Sequence, residues 1–246
     1  MREFMTDLGL FINDDCFNIL PSIEGNSIDM VLCDLPYGTT QNKWDTILPL
    51  DELWKQYNRI CKPNTPVILT STQPFTTTLI ASNIKNFKYQ WVWVKSRATN
   101  FLNAKKQPLR KFENVCVFYR KPSLYNPQMA NGEPYDKGVR KHIQTGSCNN
   151  FGTAHVKSDG ARYPTDVLYF KTAETEGPVV HPTQKPLALM EYLIKTYTNE
   201  GDMVLDNTAG VCTTGLAAEN LNRRWMCIEK EQEYFDIGVN RFEGII

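Results

Sequence analysis

The sequence predicts an α/β fold built on a doubly wound, mostly parallel sheet, and three observations carry that prediction. Apolar runs too continuous for one-sided strands recur along the chain, as in IDMVLCD (28–34). Helical stripes separate them, as in LDELWKQYNRICKP (50–63), where Leu50, Leu53, Trp54, Tyr57 and Ile60 share one face. Two of the apolar runs end in a carboxylate followed by turn residues, at Asp34 and at Asp206. Strands buried on both faces need helices on either side. Strand–helix alternation implies crossovers and parallel pairing.

Taken in order, LGLFIN (8–13) reads as a strand and CFNILPSI (16–23) as a short helix. IDMVLCD is the next strand, followed by the 50–63 helix, which Pro63 helps to end. TPVILTST (65–72) is a strand, and PFTTTLIASNI (74–84) a helix with Pro74 in its first turn. YQWVWVK (89–95) and ENVCVFYR (113–120) are strands joined by the basic segment SRATNFLNAKKQPLRKF. From about Lys121 to Pro178 the alternation stops in a stretch rich in Gly, Pro, Asn and Tyr, read as an insertion with little regular structure. PLALMEYLIKTYT (186–198) resumes as a helix, DMVLD (202–206) is a strand, GLAAENLNRRW holds a helix, WMCIEK (225–230) is a strand, and EQEYFDIGVNRFE is a closing helix.

A chain of 246 residues supports one substantial core with a small insertion. No apolar stretch approaches the roughly 18 residues of a membrane span, and the acidic start MREFMTDLGLFINDDC does not resemble an export signal, so a cytoplasmic location is expected. Seven scattered cysteines without a CxxC pair, and only three histidines, argue against a metal site or a disulfide framework. Net charge is zero, yet Lys95–Lys171 holds 14 Lys/Arg against 5 Asp/Glu. One basic face on an otherwise acidic body follows, suited to a polyanion.

Two constellations carry chemistry. In VLDNTAGVCTTGLAA (204–218) a strand ends at Asp206, a turn holds Gly210, and a helix starts near Thr213; such a helix start offers free backbone N–H groups to an anionic ligand group. One helix later Glu229 ends the next strand, where a carboxylate can accept both hydroxyls of a ribose. The second constellation is CDLPYG (33–38), closing a buried strand.

CDLPYG resembles the (D/N/S)PPY motif of amino-methyltransferases, VLDNTAGVCTTG resembles their cofactor loop, and HPTQKP (181–186) looks like the motif preceding their cofactor helix. The order of the three, over nearly the whole chain, is similar to the beta class of N6-adenine DNA methyltransferases. That resemblance implies a circularly permuted S-adenosylmethionine-dependent methyltransferase fold: 1–120 as the catalytic half, 121–178 as an inserted target-recognition region and 179–246 as the cofactor-binding half. It also implies that the terminal helix lies near the N-terminal strand.

Carried over by position, Asp34, Leu35 (through its carbonyl), Pro36 and Tyr37 form the catalytic tetrapeptide. The delocalised lone pair of an adenine amino group makes it a poor nucleophile; acceptors on both N–H bonds favour an sp³-like nitrogen. Asp34 and the Leu35 carbonyl are those acceptors, Pro36 holds Leu35 extended, and Tyr37 stacks on a base swung out of the duplex. The resemblance implies S-adenosylmethionine contacts from Asp34, Asp206, Asn207, Thr208, Ala209, Gly210 and Thr213, with Glu229 at the ribose. Thr183, Gln184 and Lys185 fall at the cofactor's carboxylate end. Asp15 and the Cys16 backbone fall near its adenine, with Asp14 a competing candidate and a helix cap an alternative role for either. Double-stranded DNA is the expected partner, contacted by Lys95, Arg97, Lys105, Lys106, Arg110, Lys111, Lys121, Arg140, Lys141 and Arg162. A homodimer and a cognate restriction enzyme are compatible with the same family, and neither a metal nor a membrane is called for. Leu35 in place of the first proline and Cys212 in place of the second loop glycine depart from the pattern; a Cβ at 212 is expected to crowd the ligand or oppose a positive φ. N4 of cytosine, RNA, and a catalytically impaired DNA-binding protein stay open as alternatives.

Overall fold

The computed structural model describes residues 1–40, 42, 45–140, 153–177, 179–181 and 183–245; Lys141 and Cys148 lie outside them, and Arg140 is described by its backbone alone. The chain divides into two compact units, one of Met1–Asn126 with Asp166–Ile246 and one of Pro127–Thr165.

The larger unit holds a nine-stranded sheet. Its strands are β1 (Arg2–Met5), β2 (Gly9–Asn13), β3 (Met30–Cys33), β4 (Val67–Ser71), β5 (Phe87–Thr99), β6 (Arg110–Phe118), β11 (Val167–Phe170), β12 (Met203–Asp206) and β13 (Arg224–Glu229), in the order β1-β2-β13-β12-β3-β4-β6-β5-β11. The run β2-β13-β12-β3-β4 is parallel throughout. Alternate residues of its strands feed opposite cores, as a period of two requires. Ile12, Val31, Cys33, Leu69 and Leu205 face α1 (Cys16–Ile19), α2 (Leu50–Ile60) and α3 (Phe75–Ser82). Phe11, Met30, Leu32, Ile68 and Val204 face α4 (Leu187–Tyr197), α5 (Thr213–Asn220) and α6 (Gln232–Phe242). Helices thus cover both faces, and the sheet is doubly wound. Chain order places β3 and β4 before β12 and β13, which makes the fold a circular permutation of the class I methyltransferase arrangement. The ends of the unit meet: Arg2 bonds Asp236 at 2.7 Å, and the rings of Phe4 and Phe242 lie 5.6 Å apart.

Several expectations are corrected. The strands expected at 89–95 and 113–120 are longer and form an antiparallel hairpin, β5 with β6, and β6 runs antiparallel to β4. Parallel neighbours need a crossover of a dozen or more residues, usually a helix; the link here is a tight tip with a single turn of 3₁₀ helix at Phe101–Asn103. The 121–178 stretch is more regular than expected, and its Val167–Phe170 returns to the main sheet beside β5. The edge strand β1 has no counterpart in the sequence reading, because REFM mixes charge with apolar residues as an exposed edge does. Pro74 is the N-cap of α3 and not a residue of its first turn.

In the smaller unit β7 (Ala130–Asn131) pairs with β10 (Ala161–Arg162), and β8 (Tyr135–Arg140) pairs with β9 (Ala154–Ser158), both antiparallel. Arg162 braces this unit from within: its guanidinium bonds Ser158 Oγ at 2.5 Å and the Glu133 carbonyl, and lies 4.7 Å from the Tyr135 ring centroid.

Candidate active site

Because β2, β13, β12 and β3 are parallel, the segments following Asn13, Glu229, Asp206 and Cys33 all leave the sheet at one edge. That is the edge where open α/β sheets bind ligands. Here they enclose a cavity of about 410 Å³, lined by Asp15, Asp34, Tyr37, Asp206, Gly210 and Glu229 among others. The two motif-bearing loops are stitched together. Thr208 Oγ1 donates to the Asp34 carbonyl at 3.1 Å, and Asn207 N donates to Cys33 Sγ at 3.4 Å.

On one side of the cavity the Asp34 carboxylate is surrounded by donors. The Tyr37 hydroxyl lies 2.5 Å from Oδ1, the Thr70 hydroxyl is also bonded to Oδ1, and Lys185 Nζ meets Oδ2 at 2.5 Å. Lys185 is itself 6 % exposed and shared with Glu113, whose Oε2 lies 3.5 Å away. Lys95 pairs with the other oxygen of Glu113 at 3.1 Å. A chain of alternating charge, Asp34–Lys185–Glu113–Lys95, therefore runs from the cavity into the hairpin. Burial works to push Lys185 below the ordinary lysine range, but Asp34 and Glu113 outweigh it and hold the ammonium above that range. Burial, with the charges of Asp34 and Glu113, pushes the Tyr37 phenol far up, so it stays a neutral donor. The Tyr37 ring stacks on Phe75 at 5.4 Å, and the side chain of Leu35 turns into the core at 2 % exposure. Among the described residues nothing donates to the Leu35 carbonyl.

The Asp206–Glu229 side is built differently. Glu229 accepts backbone N–H groups from Gly210 and Glu231, one on each oxygen, both at 2.7 Å. Burial pushes its carboxyl up to about 7 against those bonds. Asp206 accepts from Thr214 at 2.6 Å and from Thr208 N at 3.1 Å, and burial pushes it up to about 6. Asn207 Oδ1 takes the Tyr57 hydroxyl at 2.5 Å, while its Nδ2 is buried without a partner among the described residues. Gly210 has φ +54°, the left-handed region where a glycine is at ease. His181 lies edge-on to Tyr234 at 4.2 Å, and burial lowers it to about 4, leaving a neutral imidazole on the cavity wall.

Most residues singled out from sequence meet here: Asp15, Cys16, Asp34, Leu35, Pro36, Tyr37, Thr183, Gln184, Lys185, Asp206, Asn207, Thr208, Ala209, Gly210, Thr213 and Glu229 all line the one cavity. Asp14 does not line it; its carboxylate holds Asn18 and the Asp15 amide. Asp15 caps α1 through Phe17 N at 3.0 Å and pairs with Lys230 at 3.0 Å. The ammonium of Lys185, expected at a cofactor carboxylate, is engaged by Asp34 and Glu113 instead. Lys95, expected on DNA, is buried at 6 % exposure, Arg162 is engaged inside the smaller unit, and Lys121 follows β6 at the opposite edge of the sheet from Asp34. Arg97, Lys105, Lys106, Arg110 and Lys111 are exposed on the β5–β6 hairpin. Cys212 does adopt a positive φ, +58°, but it is fully buried against Trp225, Cys227 and Phe235, on the side away from the cavity, so it does not crowd a ligand. Tyr57, Thr70, Glu113 and His181 are site residues that sequence reasoning missed. Two of them had a usable signal: Thr70, a hydroxyl near the end of a buried strand, and His181, the first residue of HPTQKP.

A doubly wound sheet with a permuted order, and a carboxylate-ended loop facing a glycine turn across one cavity, define the methyltransferase class. The model for the N6/N4 DNA methylase family matches residues 28–240, and the chain belongs to that family. It is 27% identical to the DNA adenine methyltransferase YhdJ of Escherichia coli (strain K12), over 98% of this chain and 85% of that protein. The PvuII cytosine-N4-specific DNA methyltransferase aligns with TM-score 0.68 at 18% identity, covering 97% of this chain and 87% of that one. A putative DNA modification methylase of Thermus thermophilus, complexed with S-adenosyl-L-methionine, aligns with TM-score 0.60 at 20% identity, covering 95% and 94%. The protein is an S-adenosylmethionine-dependent DNA methyltransferase of the amino-methylating type. The cavity suits that cofactor. The orphaned Asn207 amide is a waiting donor, and each Glu229 oxygen keeps an acceptor site beyond its one N–H. Among the described residues no helix is long and apolar enough to cross a membrane.

Proposed function

We propose that the protein methylates N6 of adenine in duplex DNA, with the target base swung out of the helix into the cavity beside Asp34. The observation that carries this reading is the junction of the Asp34 and Asp206 loops through Thr208 and Asn207, which brings an amino-group acceptor and a cofactor site to one crevice. Bound S-adenosylmethionine supplies an electrophilic methyl group. Glu229 is assigned to its ribose hydroxyls, Asp206 and Asn207 to its amino-acid end, and Asp15 with the Cys16 backbone to its adenine.

A carboxylate offers about four lone-pair sites. Tyr37 and Thr70 fill those of Asp34 Oδ1 and Lys185 takes one on Oδ2, which leaves one acceptor on Oδ2 for an N–H of the base. The Leu35 carbonyl takes the other N–H. Fixed acceptors of this kind act through orientation and polarisation, without reorganising as the reaction proceeds. After transfer the surplus proton of the amino nitrogen can pass to Asp34 Oδ2, the acceptor that holds its N–H, and then to solvent. An aspartate at position 34, and the likeness to a DNA adenine methyltransferase, favour adenine over the N4 of cytosine.

Nucleoside analysis of DNA methylated by the purified enzyme tests the base: N6-methyladenine is expected, and N4-methylcytosine or methylation confined to RNA overturns the assignment. Asp34→Ala tests the site. Turnover is expected to fall about 10²–10³-fold, on the scale of losing one preorganised polar group, with cofactor affinity retained. Undiminished turnover removes Asp34 from catalysis.

A further inference from the structure

The β5–β6 hairpin is long, and register shows where it goes. Cys33, just before Asp34, pairs with Leu69 of β4, and Ser71 at the end of β4 pairs with Asn114 of β6. Residues before Asn114 in β6, and their partners late in β5, therefore project past the end of β4 on the edge that carries Asp34, with β11 alongside β5 as far as Lys95. Glu113, on that projecting arm, is tied to Asp34 through Lys185. Past the Val94–Phe112 rung and an irregularity in the β5 register, Thr99 pairs with Arg110, three residues beyond Glu113 along β6, or about 10 Å at strand rise.

The tip is a built structure. Asn100 takes a left-handed conformation at φ +72°, and Asn103 Nδ2 bonds Asn100 Oδ1 at 2.8 Å. The amides of Asn103, Ala104, Lys106 and Gln107 all donate to carbonyls within the tip. Such a turn could hide its apolar side chains, yet Phe101 is 67% exposed and Leu102 fully exposed. Around them Lys105, Lys106, Arg110 and Lys111 are all exposed, and there is no carboxylate between Ser96 and Phe112. Leu109 and Phe112 of the same hairpin are exposed as well, at 37% and 52%; apolar side chains among cations, with Phe101 and Leu102 the most exposed, match a duplex, with phosphates outside and a stack of bases within.

The geometry points to Phe101 and Leu102 as a wedge that enters the DNA stack where the target base leaves it, while Lys105, Lys106, Arg110 and Lys111 hold the flanking phosphates. The inference rests on the DNA-methylating function proposed above and adds the element that keeps the duplex open. Extruding a paired base costs a few kcal/mol, and an apolar side chain in the vacated space removes the incentive for the base to return. A wedge of this kind matters when the base must be extracted from a pair and matters little when it is already unpaired.

The test compares Phe101→Ala/Leu102→Ala with the unaltered enzyme on two duplexes carrying the recognition motif read from methylated-base sequencing of expressing cells. One duplex is fully paired, and the other has an abasic site opposite the target base. The expected result is a loss of about 30-fold in kcat/KM on the paired duplex and of less than about threefold on the abasic one. Because both side chains are exposed, the melting temperature is expected to stay unchanged, and a fallen one overturns the reading of a free tip. Equal losses on the two duplexes, as expected for Lys105→Ala/Lys106→Ala, make the tip a plain contact surface and overturn the wedge. So does a change of oligomeric state by light scattering, which assigns the tip to a second copy of the chain. Full activity of the double variant on both duplexes overturns it as well. If the unaltered enzyme transfers no methyl group to either duplex, the DNA-methylating function itself fails, and the wedge with it.

Discussion

The two walls of the cavity are built on opposite electrostatic plans. On the Asp34 wall every charge already has a partner: hydroxyls from Tyr37 and Thr70, then the alternating series Lys185, Glu113 and Lys95. On the Asp206–Glu229 wall the carboxylates have hydrogen bonds but no cation, burial raises both, and the Asn207 amide has no acceptor among the described residues. The first wall is preorganised, each charge already paired. The second is incomplete without ligand, so its affinity is the quantity that responds to pH. Preorganisation suits the site of bond making, where reorganisation slows reaction, and an uncompensated wall suits a ligand that brings its own donors and positive charge.

The sharpest way to break this contrast is Lys185→Met, which leaves Asp34 and Glu113 as neighbouring half-buried anions without their shared cation. A kcat loss of about 10²-fold is expected, with markedly lower thermal stability because an unpaired buried charge is costly. Cofactor Kd by calorimetry should hardly move; a rise of tenfold or more would return Lys185 to the cofactor's carboxylate. Next in size is pH. Only charged Glu229 accepts two hydroxyls, and its carboxyl titrates at about 7. Cofactor affinity should therefore be full above that pH and weaken by up to about tenfold per unit as pH falls below it, with Asp206 adding to the slope below about 6. Glu229→Gln should bind more weakly at high pH and flatten the profile around about 7, where Glu229 titrates; an unchanged slope places the titrating group elsewhere. A smaller effect is expected from Tyr57→Phe, which removes the bond that orients Asn207. Loss of a buried hydrogen bond at about 1–3 kcal/mol should lower the melting temperature and raise cofactor Kd a few-fold while leaving the base preference intact. Smallest is Cys212→Gly: the side chain packs into the core below the loop, so cofactor Kd should change less than about twofold, and a tenfold gain would mean that the thiol does crowd the ligand after all.

The sheet and both loops are legible in the chain because each leaves a local mark. Buried parallel strands are continuous apolar runs, and a strand-ending carboxylate before a turn marks the ligand-binding edge. Asp34 and Glu229 stand out that way. Glu113 and Lys95 do not, since they read as one acid and one base of an ordinary β-strand, and Lys95 goes to the surface with its basic neighbours. What buries them is their position on a hairpin that crosses behind Lys185, which is a matter of register. The two strands of the hairpin are legible as strands, but their antiparallel pairing is set by register. Arg162 shows the same limit: cationic composition cannot tell a phosphate contact from an internal brace.

Local patterning along the chain was enough for the fold class and for the two strand-ending loops, because hydrophobic periodicity and turn chemistry are written over a few residues; the permuted order of the halves followed from the resemblance of three motifs, in their order, to a known family. Which cation neutralises Asp34, which carboxylates stay uncompensated, where Cys212 points and how far the Phe101–Leu102 tip reaches all depend on distances between residues far apart in the chain. Those distances exist only once the strands have taken their register, and so they belong to the folded molecule.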